Sequence, residues 1–582
     1  MLRPNTFFLL LIPSLFFLFL PSTSLAQKDH FKAFLKIRGQ DNPSRLQANK
    51  LILQPNGKDF YVLSELKAAS PDYTNYALLF SVDAEGNIQE TSTLSSNFQN
   101  SVDGVRAASI CYDNNDQIYL GGGYTGSWNP LGTGAERTLS ALDTQGNLKW
   151  SQMQSSFYFA DILYDEDLDR IIALSGPSNL ANTNYNLQIN QFARDGKIGQ
   201  SFSLLTSSQD YGQALISLGD KDYGLAGSSL DGSQGSILAA KIDQSLALIW
   251  ASKFSHPDLD MEVVDMSQHT EGRIGISGSA MDLKDGSERA FLLILSEEGE
   301  IESFNTYQIG SSFPTEGLGL AAFQYNGKDG FLLTGSYYES NPQERRSYVL
   351  RSNLEGEIDW VNTYSEYRPE DNSWDEVLRD IQVLEAEGQF AAVGDVSRYK
   401  NGIELDRKAI VMVKASLEEG NLISGEDCYE NLQAANEAYS LNQTAITTAS
   451  TQANTAIGFA YQQPQISVDN GYCSFGSLPE NEETPEGFDR RFPDRVTLDP
   501  EAYLLFKNGP QSIQFRSKYG YMPKSGKIEV FDLSGRKLES VLLHSSEHSK
   551  EISLPQLSSG MYFILLKDGE QLIDTQRIII GF

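Results

Sequence analysis

The sequence predicts an all-β protein, with a seven-bladed β-propeller followed by a small β-sandwich. A unit of 50–60 residues, each with about four short alternating strands, repeats through the middle of the chain. A second set of strands follows a Pro-rich stretch near the C-terminus. No 12-residue stretch of the repeat has a strong helical period. With 40% hydrophobic and 11% aromatic residues in 582, the chain has ample material for a packed core.

The repeat is marked by a glycine at the end of the second strand of each unit. These glycines are 51 to 59 residues apart: Gly122, Gly176, Gly227, Gly278, Gly335 and Gly394. Ser64 takes the matching place in the first unit. A polar turn recurs in step, from 83–87 to 417–421. The spacing therefore predicts seven units.

Four-stranded units at this spacing are typical of a β-propeller, in which radial repetition leaves only short sheet edges. Phe31–Arg38 precedes the first full unit and alternates like a strand. We expect it to supply the outer strand of the last blade and to close the ring. A solenoid or several sandwiches is the alternative. Trp150, Trp250 and Trp360 recur after the turn, and we expect them to pack between blades rather than to form a stacking site.

The charge balance excludes one class of partner. Lys and Arg total 45 against 77 Asp and Glu, a net charge of −32. Nucleic-acid binding depends on cations that neutralise phosphates, so we expect no nucleic-acid partner. Anionic membrane surfaces repel the chain for the same reason.

The N-terminus, residues 1–26, has the pattern of a secretory signal peptide. Arg3 precedes an apolar run at 7–20, and Ser24 and Ala26 are small residues before a cleavage site at Gln27. The run is too short to span a membrane, which needs about 20 apolar residues. Removal of residues 1–26 gives a mature chain with no expected membrane span.

After the propeller (27–427), two cysteines delimit a charge-poor segment. Cys428 and Cys473 enclose a stretch without Lys or Arg that is rich in Asn, Gln, Thr and Ala. Because the chain is exported, we expect a disulfide and a disulfide-closed β extension at 428–475. Closing such a loop stabilises by roughly 4 kcal/mol in the chain-entropy model. Cys111 is expected to be a free core thiol. An acidic, Pro-rich linker follows at 476–500.

The C-terminal segment, 501–582, carries three motifs in order. The first is Asp-Leu-Ser-Gly-Arg, with Asp532 and Gly535; the second is Leu-Ser-Ser-Gly-Met-Tyr-Phe, with Gly560 and Tyr562; the third is Arg577 before an apolar end. In this order they closely resemble the C-terminal sorting domain of the Bacteroidetes type IX secretion system. An ordinary immunoglobulin-like binding module would explain the strands but not the terminal placement.

The resemblance implies a route and a partner. The chain would cross the periplasm, and the folded immunoglobulin-like sorting domain would be recognised by the type IX secretion machinery. Such domains are commonly cleaved as the cargo is released or attached to surface lipopolysaccharide. We therefore expect a secreted or surface-attached protein.

Catalytic and metal motifs are missing from the sequence. No HExxH, CxxC, Walker A or GxSxG pattern occurs. Asp165–Asp169 begins like a Ca²⁺ loop but lacks the glycine and glutamate that an EF-hand requires, so a hairpin cap is favoured. We expect no cofactor, with weak Ca²⁺ binding as an alternative.

The long loops between second and third strands suggest a binding face. They and one inter-blade connection carry aromatic and Arg residues suited to glycan or protein recognition: Trp128, Tyr337, Tyr338, Arg345, Arg346, Trp374 and Tyr399. Ordinary loop decoration is the simpler explanation. We expect a binding, adhesin-like or structural protein rather than an enzyme. The alternative is a glycan-active hydrolase or lyase with carboxylate catalysts on this face.

Overall fold

The structure is a computed structural model. It describes the strands between residues 31 and 472, those between 503 and 580, and most of the tight turns that join them. Residues 1–30, 126–135, 176–185, 421–429 and 473–502, together with shorter loops, lie outside the described residues. The predicted signal peptide and linker fall in these segments.

Seven antiparallel sheets follow one another along the chain, each described here as a blade. A first strand, β1 (Phe31–Arg38), precedes them. The strands of blades 1 to 3 are β2 (Pro43–Leu53), β3 (Phe60–Ala68), β4 (Asn75–Val82), β5 (Ile88–Ser96); β6 (Gly104–Tyr112), β7 (Ile118–Thr125), β8 (Glu136–Leu142), β9 (Leu148–Ser155); β10 (Phe159–Asp165), β11 (Arg170–Ser175), β12 (Leu187–Ala193), β13 (Ile198–Leu204).

In each blade the first strand in the chain is the inner strand, which lines the central channel of the ring, and the later strands follow outwards. Blades 4 to 7 keep this order. Their strands are β14 (Gln209–Ser217), β15 (Tyr223–Asp231), β16 (Gln234–Ile242), β17 (Leu248–Ser255); β18 (Leu259–Gln268), β19 (Ile274–Asp282), β20 (Glu288–Leu295), β21 (Ile301–Ile309); β22 (Thr315–Tyr325), β23 (Lys328–Tyr338), β24 (Arg345–Asn353), β25 (Ile358–Thr363); β26 (Asn372–Leu384), β27 (Gln389–Lys400), β28 (Ile403–Ser416). A 3-10 turn, Glu385–Glu387, joins β26 to β27.

Blade 7 has only three strands of its own, and β1 completes it. The pairing of β1 with β28 is antiparallel, with Phe34 opposite Val411. The N-terminal strand therefore closes the ring, as the sequence predicts. Closure buries Leu46 and Phe60 of blade 1 against Val393 and Met412 of blade 7 in one apolar cluster.

In blades 4 to 7 the repeated glycine lies opposite the bulge of the inner strand. The register of β18 against β19 shifts just after Val263 pairs with Gly278. A Cβ on Gly278 would lie 1.9 Å from the Glu262 carbonyl oxygen, and one on Gly394 would lie 1.7 Å from that of Val377. An added Cβ would clash with the carbonyl at these positions, so the spacing of these glycines in the sequence matches the spacing of the bulges. In blade 1 the buried Ser64 takes the same place, opposite Ala48.

The three repeated tryptophans pack between blades, as predicted. Trp150, Trp250 and Trp360 lie against left-handed glycines in the turn of the next blade, where an added Cβ would meet the ring at 2.7–3.0 Å. The Trp150 indole N–H also donates to the Arg194 carbonyl at 3.1 Å, and that of Trp250 donates to Glu297 at 3.0 Å. Each ring therefore fixes one blade on its neighbour.

The segment 430–472 differs from its prediction. Its strands, here called the belt, do not form an extension of their own; each joins the outer edge of a different blade. The belt strands are β29 (Glu430–Asn431), β30 (Ala434–Ala438), β31 (Asn442–Ala445), β32 (Ala449–Ala453), β33 (Ile457–Gly458), β34 (Tyr461–Gln462) and β35 (Ser467–Tyr472). They pair in turn with blades 6, 5, 4, 3, 2, 1 and 7. Each blade therefore has five strands, not the four that the sequence indicates.

The physical reason lies in the composition of the belt. Its strands are short and polar, so they cannot bury a core among themselves. An outer blade strand offers a row of unpaired backbone groups that a short strand can satisfy. Half-buried Tyr439 and Leu441 pack on one inter-blade cluster and Ile446 on the next, which fixes the belt to the blades.

The C-terminal region has two further sheets. One contains β36 (Tyr503–Lys507), β37 (Ser512–Ser517) and β40 (Ser549–Ser553); the other contains β38 (Gly526–Asp532), β39 (Lys537–Leu542), β41 (Gly560–Asp568) and β42 (Gln571–Ile580). In the second sheet Asp532 pairs with Tyr562, and Arg577 pairs with Phe563. The predicted sorting motifs therefore meet in one sheet, except Gly535, which lies outside the described residues.

Candidate functional site

The inner strands of all seven blades run in the same direction, which gives the propeller two distinct faces. They begin at the loop face, which carries the inter-blade connections and the loops between second and third strands. They end at the hairpin face, which carries the tight turns. The predicted binding residues belong to the loop face.

On the loop face, blade 6 brings four of the predicted residues together. Tyr337 and Arg346 are directly opposite in the β23–β24 pair, and Tyr338 and Arg345 are opposite in the next row. The Arg345 guanidinium lies 5.6 Å from the centre of the Tyr338 ring, and it also donates to the Ser336 hydroxyl at 2.8 Å. The cluster is ordered by contacts within the protein.

The burial of this cluster limits what it can offer a ligand. Tyr337 is 1% exposed and Arg346 is 3% exposed, so both contribute to the packing of the blade. Tyr338 is 9% exposed, and the Arg345 side chain is 15% exposed. Any direct contact with a ligand would therefore come from the edges of Tyr338 and Arg345. The binding role of all four stays a prediction.

The other three predicted residues are less defined. Trp374 lies in β26 opposite Arg398, and Tyr399 lies in β27 opposite Ser373, so both belong to the loop-face end of blade 7 beside blade 6. Their side chains, and the whole of Trp128, lie outside the described residues.

Carboxyl groups near this cluster have partners inside the protein. Glu316, which is 7% exposed, forms an ion pair with Arg345 and accepts from the Ser336 hydroxyl at 3.1 Å. Glu376, which is 2% exposed, accepts from the Ser347 hydroxyl at 2.7 Å. Asp375 accepts from the backbone N–H of Arg345 at 2.9 Å and so joins blade 7 to blade 6.

The central channel holds a group of charged residues that the sequence analysis did not single out. In every blade, one residue of the inner strand directly follows the bulge, and these residues lie at the same level. We call these seven the channel ring: Lys50, Ser109, Asp161, Ala214, Asp265, Gly319 and Asp380. Three carboxyl groups, on blades 3, 5 and 7, therefore lie at one level with one lysine.

Each of the three carboxylates binds the backbone of the next blade. The backbone N–H of Leu215 donates to Asp161 at 2.9 Å, that of Leu320 to Asp265 at 2.8 Å, and that of Leu51 to Asp380 at 2.7 Å. The other oxygen of each carboxylate accepts from the N–H of its own following residue, at 2.9–3.0 Å. Ser109 adds the link from blade 2 to Asp161. The carboxylates thus join neighbouring blades.

Burial and the single lysine set the protonation of the ring. Lys50 Nζ lies 3.9 Å from a carboxylate oxygen of both Asp265 and Asp380. Burial alone would lower the pKa of Lys50, but the Asp380 and Asp265 carboxylates outweigh it, so its pKa is raised. Burial raises the pKa of Asp265 to about 6, against the opposing attraction of Lys50, and also raises the pKa of Asp380.

A cavity of about 450 Å³ lies beside the ring, on the side of the hairpin face. Lys50, Asp161, Asp265 and Asp380 all line it. In the part of the chain that the structure describes, no three His, Cys, Asp or Glu residues are grouped to hold a metal ion. Asp165 caps its hairpin by accepting from the backbone N–H groups of Asp167 and Leu168, the role that the sequence favours.

The channel ring left a weak signal in the sequence. In units 3, 5 and 7 an aspartate precedes the second-strand glycine by 13 to 15 residues. The variable spacing and the change of residue type in the other units hide it. Only closure of the ring shows that these positions share one level.

Comparison with known families assigns the C-terminal region. Residues 509–581 match the model of the secretion system C-terminal sorting domain. This region is therefore a sorting domain of the type IX system, as the motifs predict, and it directs the protein to the cell surface or the extracellular space. The protein is an exported seven-bladed β-propeller. Among the described residues no helix is long and apolar enough to cross a membrane.

Comparison with solved structures finds only distant likenesses. The Dos1 propeller is 10% identical, with 65% of this chain and 96% of that chain covered and a TM-score of 0.37. The polysaccharide lyase Uly1 is 11% identical (63% and 90% covered, TM-score 0.39). A Penicillium chrysogenum α-L-arabinanase complexed with arabinobiose is 10% identical (67% and 99% covered, TM-score 0.38). These likenesses are too distant to indicate an activity. No curated protein matches the chain in sequence.

Proposed function

We propose that the propeller is a binding module that acts outside the cell, and that it recognises an extracellular glycan or protein through the loop face of blades 6 and 7. The type IX sorting domain delivers it there. The proposal is supported chiefly by one observation: each channel carboxylate accepts a backbone N–H from the neighbouring blade. Acids engaged in this way serve the ring rather than a reaction.

The chemistry of the loop face favours recognition over catalysis. Tyr338 and Arg345 present an aromatic edge and part of a guanidinium, groups that are enriched where proteins bind partners. The nearby Glu316 and Glu376 are almost fully buried and hydrogen-bonded. A glycosidase needs two carboxyl groups that reach the scissile bond, one of them protonated.

A second candidate function has one observation in its favour. Asp265, with its pKa raised to about 6 by burial, lines the channel cavity. A carboxyl group with a pKa near 6 is closer to neutral pH than an ordinary carboxyl group, which favours general acid catalysis. A glycan-active hydrolase or lyase would then work in the channel rather than on the loop face.

The test is a glycan array and a surface-protein binding screen on the purified mature protein, with Arg345→Ala beside the wild type. Binding that falls at least tenfold in Arg345→Ala supports the proposal. Lys328→Ala, at the hairpin-face end of the same sheet, is the matched control and should bind as wild type. Equal binding of all three proteins would exclude this surface.

The same purified mature protein is used to test the second candidate function, a glycan-active hydrolase or lyase. Polysaccharides are incubated with wild type and with Asp265→Asn, and reducing ends and unsaturated products are measured. Turnover that disappears in Asp265→Asn would replace the binding proposal with an enzyme. No turnover in either protein is the result we expect.

A further inference from the structure

We propose that a disulfide between Cys428 and Cys473 closes the belt into a covalent hoop that encircles the whole propeller. The two cysteines lie just outside the described residues. The strands next to the two cysteines are described by the structure. Glu430 begins β29 two residues after Cys428, and Tyr472 ends β35 immediately before Cys473. The inference rests on where those two strands lie.

The belt goes once around the ring and ends on the blade next to its start. It begins on blade 6 and passes to blades 5, 4, 3, 2 and 1 before it reaches blade 7. Blades 7 and 6 are neighbours. A bond from the end of the belt to its beginning would be a seventh crossing in the same direction as the other six.

The two ends also lie at the same level on their blades. Gly335 and Gly394 are equivalent positions in the repeat, and the register leads outwards from each of them to the belt. The aligned rows are Gly335, Tyr348, Thr363 and Glu430 on blade 6, and Gly394, Val411, Phe34 and Gly471 on blade 7. Glu430 and Gly471 are therefore level with each other.

The lengths of the other crossings allow a direct comparison. The shortest crossings take three Cα steps, as from Asn431 to Ala434, and the longest takes five, from Gln462 to Ser467. At 3.8 Å per step these paths are about 11 to 19 Å long. Each joins the hairpin-face end of one belt strand to the loop-face end of the next.

A disulfide makes a path of the same length. From Tyr472 to Cys473 is one Cα step, from Cys428 to Glu430 is two, and the two cysteine Cα atoms of a disulfide are about 4.4 to 6.8 Å apart. The sum is about 16 to 18 Å, within the range of the six crossings made by the chain. The disulfide therefore fits the one gap that the belt leaves.

The third cysteine is a poor competitor. Cys111 packs against the apolar cluster between blades 2 and 3, and burial raises the pKa of its thiol well above the ordinary value. Exchange needs a thiolate, so Cys111 reacts slowly. Cys428 and Cys473 are left as the pair.

Oxidation would take place after export from the cytosol. One cysteine thiolate attacks the disulfide of an oxidising periplasmic protein and forms a mixed disulfide, and the second cysteine then displaces that protein as a dithiol. The new S–S bond releases two protons and two electrons, and the electrons reduce the oxidant's disulfide. The hoop would then hold β1, the strand that closes the ring, beneath β35.

The experiment uses the mature protein recovered from the culture medium or cell surface, with free thiols alkylated before digestion. Non-reducing peptide mapping should give one cross-linked peptide that joins Cys428 to Cys473, and an alkylated Cys111. Free thiols at both positions would overturn the proposal. So would a bond from either to Cys111 or to a second copy of the chain.

Amide hydrogen exchange distinguishes a disulfide that closes the belt around the propeller from a disulfide that does not. In Cys428→Ser and Cys473→Ser, β29 and β35 should exchange at least tenfold faster than in wild type, whereas β31 and β32 should be unchanged. The midpoint of thermal unfolding should fall by roughly 5 °C. Cys111→Ser is the control and should keep the cross-linked peptide. Equal exchange at β29 and β35 with and without the bond would show that it does not close the belt.

Discussion

The inner and outer edges of the blades are both tied to their neighbours, but by different chemistry. At the inner edge, buried carboxylates of blades 3, 5 and 7 accept backbone N–H groups from blades 4, 6 and 1. At the outer edge, polar belt strands add backbone hydrogen bonds to every blade. A few hydrogen bonds to buried carboxylates at the inner edge therefore correspond to many backbone hydrogen bonds at the exposed outer edge.

This difference predicts where single substitutions are costly. A buried charge that loses its partner costs about 3–5 kcal/mol, because the remaining groups stay desolvated. A strand at a wet edge can exchange protein hydrogen bonds for water. Loss of a single buried carboxylate at the inner edge should therefore lower the stability of the protein strongly. The belt should be destabilised mainly when its strands are cleaved or when its ends detach.

The largest effect is expected for Asp380→Ala. It leaves the Leu51 N–H without its 2.7 Å acceptor and removes one of the two carboxylates beside Lys50, at the seam between blades 7 and 1. We expect the free energy of unfolding to fall by about 3 kcal/mol or more, measured by urea denaturation of the mature protein. Asp231→Ala, at an exposed ion pair with Lys253, is the control and should cost less than about 1 kcal/mol. Equal losses in the two variants would remove the contrast between inner edge and surface.

A smaller effect follows from the titration of Asp265. Since its folded pKa, about 6, lies above the unfolded value near 3.8, the folded state binds more protons between these pH values. Stability relative to Asp265→Asn should therefore fall as the pH rises from 4 to 6.5, by up to about 3 kcal/mol.

Asp243 provides a control of opposite sign for that measurement. Burial would raise its pKa, but hydrogen bonds from the Ser245 hydroxyl and the Ala247 N–H outweigh burial and lower it. Stability relative to Asp243→Asn should thus rise with pH, in the window below pH 4. Denaturation curves across pH 3 to 7 measure both. A flat difference for Asp265→Asn would mean that Lys50 fully compensates burial.

The smallest effect is expected in the belt. Tyr439→Ala removes ring contacts with Phe304 and His256 and the 3.0 Å hydrogen bond from Arg289. We expect a loss of about 1–2 kcal/mol, confined to the belt, and faster amide exchange in 434–446 with unchanged exchange in β18. Asn442→Ala, at an exposed position of β31, should leave exchange as in wild type. Faster exchange that spreads into the inner strands would show that the belt and the channel ring form one cooperative unit.

The parts of the fold that rest on local, repeated signals could be predicted from the amino-acid sequence. The second-strand glycines predict the bulges because a Cβ would clash with the displaced carbonyl, as at Gly278. The alternation of Phe31–Arg38 predicts a strand, and its position before the first unit predicts ring closure. The motifs around Asp532, Tyr562 and Arg577 predict the sorting domain, since each is short and continuous in the chain.

Other features depend on contacts between segments that are distant in the chain, and no local pattern encodes them. The belt strands are too short and too polar to alternate, so their pairing depends on blade edges far away in sequence, as Glu430 depends on Thr363. The channel ring exists only because closure brings Lys50 beside Asp380, more than 300 residues away in the chain. Burial of Tyr337 and Arg346 likewise follows from the packing of neighbouring blades, although their sequence is that of an exposed loop. Local sequence determines where a strand forms. Closure of the ring determines which side chains lie at the same level of the channel and which outer blade edges are left for the belt strands to pair with.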